Sequence, residues 1–192
     1  MERSRTSVLV TGAAGFVGSH LLELLEQEET QVVAWLRPGT EPLVSGTRVI
    51  WHGVELHDRT AVADAIDAFS PSEIYHLAGV PHVGDSWSHV HETVAGNVLG
   101  THHLFDALRR SRLKPRVLIT STAFVYAPQH RAITEDDVVR PNSPYGTSKL
   151  AQEMLSIRAC EDDGTEVSRP GCTIDPRTNR CGSASANEAG QT

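Results

Sequence analysis

The sequence contains no long hydrophobic run. Nowhere do eighteen apolar residues follow one another, and the opening stretch, MERSRTSVLVTGAAG, has no hydrophobic region of the signal-peptide kind. Membrane-spanning helices and secretory signals both require such a run. The sequence therefore predicts a cytoplasmic protein with no membrane partner.

Basic residues and cysteines are also scarce. Lys and Arg number 17 against 24 Asp and Glu, so the formal net charge is -7. A general nucleic-acid binder needs a basic surface for phosphates, and no nucleic-acid partner is predicted. The three cysteines show no CxxC spacing, and the ten histidines have no cysteine or carboxylate at ligand spacing. Neither a disulfide framework nor a metal site is predicted.

Strand-like and helix-like segments alternate along the chain. Short apolar runs predict strands at 7–11, 30–37, 47–53, 73–79, 116–121 and 165–170. Apolar residues at helical spacing predict helices over 16–27, 59–69 and 89–111, and a further helix opening at Ser143. This alternation requires βαβ crossovers, so the expected fold is α/β, a Rossmann-like doubly wound parallel sheet.

Residues 171–192 differ in composition from the rest. Their only large aliphatic or aromatic residue is Ile174, so this segment cannot build a core. We expect a dinucleotide-binding domain over 1–170 and a disordered or aberrant tail over 171–192.

Three glycines separate the first predicted strand from the first helix. Gly12, Gly15 and Gly18 form GxxGxxG, which allows the backbone to approach a pyrophosphate at a helix N-terminus. A structural turn is the alternative, but the strand and helix on either side favour dinucleotide binding. The second strand ends in Leu36 and Arg37 rather than in an acid, which favours NADP over NAD unless Arg37 is only a solvated loop residue.

The stretch SPYGTSK carries a phenol and an ammonium one helical turn apart. Ser143 and Pro144 are suited to the N-cap and first turn of a helix, so Tyr145 and Lys149 should share a face. The ammonium is expected to lower the pKa of the phenol, which could then exchange a proton with a sugar or alcohol oxygen. An exposed helix face is the alternative. Thr122 or Ser121, at the end of the fifth strand, could polarise the reacting oxygen.

Five ordered segments, TGAAGFVGSHL, HLAG, NVLGT, STAFVY and YGTSK, resemble motifs of the extended short-chain dehydrogenase/reductase family. Its members are NAD(P)-dependent sugar-nucleotide epimerases, dehydratases and reductases. The resemblance implies a catalytic set of Thr122, Tyr145 and Lys149, and a structural role for Asn97. It also implies cofactor contacts at Gly12, Gly15, Phe16, Gly18, Glu55, Leu56, Leu77, Ala78, Gly79, Tyr145 and Lys149, to which the end of the second strand adds Arg37.

Departures from the family pattern narrow the function. Dehydratases commonly have a glutamate where this chain has Phe124, which disfavours dehydration. The stretches HVGDSW and NVLGTHHLFDALRR look most like the GDP-4-keto-6-deoxymannose reductase branch, with a UDP-sugar 4-epimerase as the runner-up. A nucleotide sugar is the expected substrate, and a homodimer is left open.

Gly171 and Cys172 stand where the family has an aromatic-Asn pair that contacts substrate. The resemblance ends there, so we expect a truncated chain without the C-terminal substrate lobe. The alternative function is a dinucleotide-binding module with no catalytic activity.

Overall fold

The computed structural model describes residues 7–28, 30–42, 48–81 and 83–168, and also 174–175 and 180–181. Six strands form one sheet: β1 (Ser7–Thr11), β2 (Gln31–Leu36), β3 (Val49–Gly53), β4 (Glu73–His76), β5 (Arg116–Ile119) and β6 (Glu166–Ser168). Their order is β3-β2-β1-β4-β5-β6, and every neighbouring pair is parallel. The expected doubly wound sheet is confirmed.

The helices follow the predicted order. They are α1 (Phe16–Gln27), α2 (Arg59–Phe69), α3 (Val90–Val94), α4 (Gly100–Arg110) and α5 (Pro144–Asp163). The single helix expected over 89–111 is divided, because a π-helical segment, Ala95–Leu99, joins α3 to α4. The spacing of apolar residues does not reveal such a segment. A π turn adds one residue to the helix and needs no helix-breaking residue such as proline.

The two faces of the sheet bury different clusters. Leu22 of α1 packs with alternate residues of β1 and β2, such as Val8 and Val32. On the other face, Ile66 of α2 and Leu104 of α4 pack against side chains that include Leu9, Val33, Trp35, Ile74, Val117 and Ile119. Strands covered on both faces read as continuous apolar runs, which explains their sequence pattern.

The strand order reverses between β1 and β4. The chain passes from β1 to β2 and β3 on one side, and returns to β4, β5 and β6 on the other. In such sheets a crevice opens beyond the carboxyl ends of the strands at the reversal point. The fold therefore places the glycine turn after β1 beside the loop that follows β4.

Most of the segment expected to be a disordered or aberrant tail lies outside the described residues. Within it, β7 (Ile174–Asp175) and β8 (Arg180–Cys181) form a short antiparallel pair.

Candidate functional site

The glycine turn after β1 has little room for side chains. Gly12 adopts φ of +66°, and a Cβ there would lie 2.7 Å from the backbone nitrogen of Ala78. Gly15 is the N-cap of α1, and no side chain hydrogen-bonds to the cap in the described structure. The first turn of α1 also has no acidic side chain. Its N–H groups and the positive end of the helix can therefore receive a pyrophosphate, so these residues fit a dinucleotide.

A cleft of about 920 Å³ lies at this edge of the sheet. It collects the predicted cofactor residues that lie outside α5, namely Gly12, Gly15, Phe16, Gly18, Arg37, Glu55, Leu56, Leu77, Ala78 and Gly79. Sequence reasoning missed a further part of the wall, formed by residues such as Asp85, Ser86, His89, Glu92 and Thr93. Their position in the connection from β4 to α4, which starts on the same edge as the glycine turn, was the available signal.

Three predicted residues stand apart from this wall. Thr122, Tyr145 and Lys149 are not among the residues that line the cleft. The structure nevertheless places Thr122 close enough to Tyr145 for its side chain to lower the pKa of the phenol. The predicted residues therefore fall into a cofactor-sized cleft and a separate hydroxyl pair at the start of α5.

The start of α5 explains how this pair forms. Ser143 caps the helix, with its Oγ accepting a hydrogen bond of 3.0 Å from the Gly146 nitrogen, and Pro144 occupies the first turn. A Cβ on Gly146 would lie 2.5 Å from the carbonyl oxygen of Phe124. The missing side chain lets α5 approach the turn that follows Thr122, which brings the two hydroxyl groups within reach.

The expected effect on the phenol is not what the structure shows. Burial raises the pKa of Tyr145 above its usual value, and the hydrogen bond with Thr122 offsets this only in part. The prediction that Lys149 lowers this pKa is wrong in this structure. Helical spacing puts two residues on one face, but it does not reveal how far water is excluded from each of them.

Lys149 is buried, with 5% of its surface exposed. Its Nζ donates a 2.6 Å hydrogen bond to Oε1 of Gln152, one turn further along α5. Burial lowers the pKa of Lys149 to about 8, against the opposing effect of the Glu153 carboxylate. The ammonium therefore lies near a carboxylate on its own helix, a partner that the sequence reasoning missed although Glu153 follows Lys149 at the i,i+4 spacing.

A buried histidine connects the glycine turn to the helix beyond the cleft. Nδ1 of His76 lies 2.8 Å from Oγ1 of Thr11, and Nε2 lies 2.9 Å from Oγ1 of Thr101. Thr101 donates its own proton to the Asn97 carbonyl, so Nε2 of His76 must carry the hydrogen and Nδ1 must accept from Thr11. Complete burial, reinforced by the charge of Lys149, lowers the pKa of His76 to about 3, which keeps the ring neutral.

Asn97 extends this network to the tyrosine. Its Oδ1 accepts from the Val80 nitrogen at 2.7 Å, and its Nδ2 donates to Oγ of Ser148 at 2.9 Å. Ser148 in turn donates to the carbonyl oxygen of Tyr145 at 2.7 Å. The loop after β4 is thus tied to the first turn of α5, which agrees with the structural role that the resemblance implies for Asn97.

Comparison with known proteins agrees with this geometry. The model of the NAD dependent epimerase/dehydratase family matches residues 8–170. The chain belongs to this family. A curated UDP-glucose 4-epimerase of Halalkalibacterium halodurans is 34% identical over 152 residues, which are 78% of this chain and 45% of that protein. The chain spans about half the length of the curated relatives it matches.

Solved structures of family members resemble the same region. MoeE5 in complex with UDP-glucuronic acid and NAD is 36% identical with a TM-score of 0.74, covering 85% of this chain and 52% of that one. The UDP-glucose 4-epimerase from Brucella ovis in complex with NAD is 27% identical with a TM-score of 0.78, covering 85% of this chain and 50% of that one. The suspected family is therefore confirmed.

The described residues also bear on membrane and metal binding. No helix of this part of the chain is long and apolar enough to cross a membrane. Within the same residues, no three His, Cys, Asp or Glu side chains come close enough together to hold a metal ion.

Proposed function

We propose that the protein is an NAD(P)-dependent enzyme that acts on a nucleotide sugar by hydride transfer. The observation that carries this proposal is a glycine-lined cleft that fits a dinucleotide, in a chain that also places Thr122 close to Tyr145 at the start of α5. Family membership supports it. Because the chain spans about half of its relatives, the activity, the substrate and a cytoplasmic location are all proposals.

The side chains would divide the work as follows. The Tyr145 hydroxyl exchanges a proton with the sugar oxygen, and Thr122 holds that oxygen and the phenol in one line of hydrogen bonds. A raised pKa keeps Tyr145 protonated in the free protein, so the resting group can donate a proton to a keto oxygen, as a reductase requires. Oxidation of a sugar hydroxyl, the first step of 4-epimerisation, would require Tyr145 to lose this proton first, so that the phenolate could accept the proton of the sugar. The residues that line the cleft would hold the dinucleotide, whose chemistry would be to accept and return the hydride.

The reaction that the comparisons favour is 4-epimerisation of a UDP-sugar. The relatives include several UDP-glucose 4-epimerases, and MoeE5 was solved with UDP-glucose and with UDP-glucuronic acid. The 4-keto-6-deoxy sugar nucleotide reductase favoured by the sequence becomes the second candidate, supported by the stretches HVGDSW and NVLGTHHLFDALRR. Dehydration stays disfavoured, because the exposed Phe124 offers no acid beside Tyr145.

The cofactor preference rests on the end of β2. Arg37 lines the cleft, and the neighbouring Leu36 offers no carboxylate for a ribose diol. We therefore keep NADP as the preferred cofactor, although the solved relatives named above hold NAD. Fluorescence titration with NADPH and NADH should show tighter binding of NADPH, and Arg37→Asp should reverse the order. Tighter NADH binding by the unmodified protein would contradict the preference.

A dinucleotide-binding module without turnover is the competing function. It is favoured by the observation that Thr122, Tyr145 and Lys149 do not line the cleft. Incubation with UDP-glucose and either cofactor, followed by separation of UDP-glucose from UDP-galactose, tests the enzyme. A parallel assay would follow NADPH oxidation with a 4-keto-6-deoxy sugar nucleotide. Tight cofactor binding with no conversion in either assay would favour the binding module. Absence of cofactor binding would contradict both the enzyme and the binding module.

The assembly is also open to measurement. Sedimentation of the purified chain at several concentrations would test the homodimer that the sequence leaves open, and a monomer throughout would exclude it.

A further inference from the structure

Helix α5 buries polar side chains where a helix packed on a sheet usually buries apolar ones. Five polar residues of α5 have between 0% and 5% of their surface exposed, and we call them the polar stripe: Ser148, Lys149, Gln152, Glu153 and Ser156. Their spacing keeps them on adjoining parts of one helix surface. Burying charged groups is costly unless they have partners, so this stripe requires an explanation beyond packing.

Glu153 connects the stripe to the neighbouring strand. Its side chain is fully buried, and Oε1 accepts a hydrogen bond from the Ser121 hydroxyl. Ser121 directly precedes Thr122, the residue whose hydroxyl meets Tyr145. The carboxylate therefore joins α5 to the segment after β5 at the point where the two proposed reacting groups come together.

The same carboxylate acts on Lys149. The two residues are four apart on α5, which places their side chains on one face. The charge of Glu153 favours the ammonium form, whereas burial of Lys149 favours the neutral amine. Gln152 holds the amine by a neutral hydrogen bond only, so Glu153 is the group of the stripe whose charge can balance it.

We propose that Glu153 is a positioning residue whose buried carboxylate is the counter-charge of the buried Lys149 and, through the hydrogen bond it accepts from Ser121, joins α5 to the segment bearing Thr122. This rests on the proposed function, because it gives Lys149 and Thr122 their relative placement for that reaction. It adds to the site a residue that is not part of the cleft wall. The chemistry is that of an internal counter-ion, whose removal leaves a buried cation without compensation.

Other titratable groups on the surrounding elements have to be considered. His76 of β4 is held neutral, and Tyr145 lies one turn before Lys149 on α5. Asp106 of α4 is engaged by Arg59 and Arg109. The remaining groups on or next to the elements packed against α5 are Asp85, His89, His91, Glu92, His102, His103, Arg110, Tyr126 and Glu166.

The sequence makes a direct test available, because its only lysines are Lys114 and Lys149. Protein grown with ¹³C-lysine should give two Cε signals, and Lys114→Arg would assign them. The Lys149 signal of the cofactor-free protein should titrate near pH 8. In Glu153→Gln the midpoint should fall by roughly one pH unit or more, since an attractive charge has been removed without a change in shape.

A matched control is present on the same helix. Glu161→Gln removes an equal charge from an exposed position paired with Arg158, and should leave the Lys149 midpoint unchanged. An unchanged midpoint in folded Glu153→Gln, or an equal shift in both variants, would overturn the proposal. Heteronuclear NMR spectra of the backbone would verify that each variant is folded.

A second variant keeps the proposal open to refutation if Glu153→Gln does not fold. Ser121→Ala retains the carboxylate but removes the hydroxyl that holds it, so the Lys149 midpoint should also move. A midpoint equal to that of the unmodified protein in Ser121→Ala would refute the tie between the two segments. Because the titration uses neither cofactor nor sugar, its result is independent of whether the chain turns over a substrate.

Discussion

Helices α2 and α5 contribute to the same apolar cluster, yet they bury opposite kinds of residue. Helix α2 presents Val62, Ala65 and Ile66 to the core. Helix α5 adds Ala159 to that cluster and buries the polar stripe beside it. Burial of apolar side chains stabilises a fold without specific partners. A buried polar group destabilises the fold unless it is hydrogen-bonded or paired with a charge. The difference separates a helix that serves stability from one whose burial serves the arrangement of reactive groups.

The largest expected effect comes from removing the acid/base group that α5 carries. In a preparation that turns over a UDP-sugar, Tyr145→Phe should lower turnover by a factor on the order of 10²–10⁴, because one acid/base group is lost. Cofactor binding should persist, since Tyr145 does not line the cleft. Tyr75→Phe on β4 is the matched control. Near-normal turnover in Tyr145→Phe would remove this residue from the reaction.

The next largest effect concerns the apolar residues that α2 buries. Ile66→Ala should lower the free energy of unfolding by about 2–5 kcal/mol, because a fully buried side chain leaves a cavity in the core. Met154 of α5 is 56% exposed, and Met154→Ala should change stability by less than about 0.5 kcal/mol. Urea unfolding of the three proteins would measure both. Equal losses in the two variants would contradict the assignment of α2 to the core.

A pH dependence should distinguish the buried polar groups from the apolar core. The pKa of His76 is lowered from 6.5 to about 3, so the unfolded chain binds a proton that the folded chain does not between these values. Stability contributed by the neutral ring is present above pH 6.5 and is lost as pH falls toward 3. The loss should reach roughly 2 kcal/mol at pH 5.

Urea unfolding between pH 7 and pH 5 would measure this loss, with His76→Gln as the comparison. The exposed His20 offers a control, since His20→Gln should keep the dependence of the unmodified protein. The same slope in His76→Gln as in the unmodified protein would show that other groups cause it.

The smallest expected effects come from removing the N-terminal caps, and they should be equal in the two helices. Both begin with a side-chain cap: Asp58 accepts from the Thr60 and Ala61 nitrogens, and Ser143 accepts from the Gly146 nitrogen. Asp58→Ala and Ser143→Ala should each cost about 1 kcal/mol. Thermal unfolding would test this. A much larger loss of stability in Ser143→Ala would mean that this cap also stabilises the contacts between α5 and neighbouring segments.

The sequence predicted the features that depend on local pattern. The glycine turn, the order of strands and helices, and the Ser143 cap all follow from residue type and spacing. The direction of the Tyr145 pKa could not be predicted, because it depends on the water that neighbouring elements exclude. His76 was missed for the same reason, since its partners come from residues 25 and 65 positions away. Glu153 stands at the i,i+4 spacing from Lys149, but its contact with Ser121, 32 positions away, could not be predicted.

The π-helical segment between α3 and α4 has a consequence for how this part of the chain can change in length. Ala95–Leu99 holds Asn97 inward, within reach of both Val80 and Ser148. Because each helical residue turns the chain by about 100°, deleting one residue here would rotate α3 against α4. Either Asn97 or the buried Thr101 would then leave its partners. Substitutions at the exposed Leu99 should be tolerated during divergence, whereas insertions and deletions across 90–110 should be rare among functional descendants of this sequence.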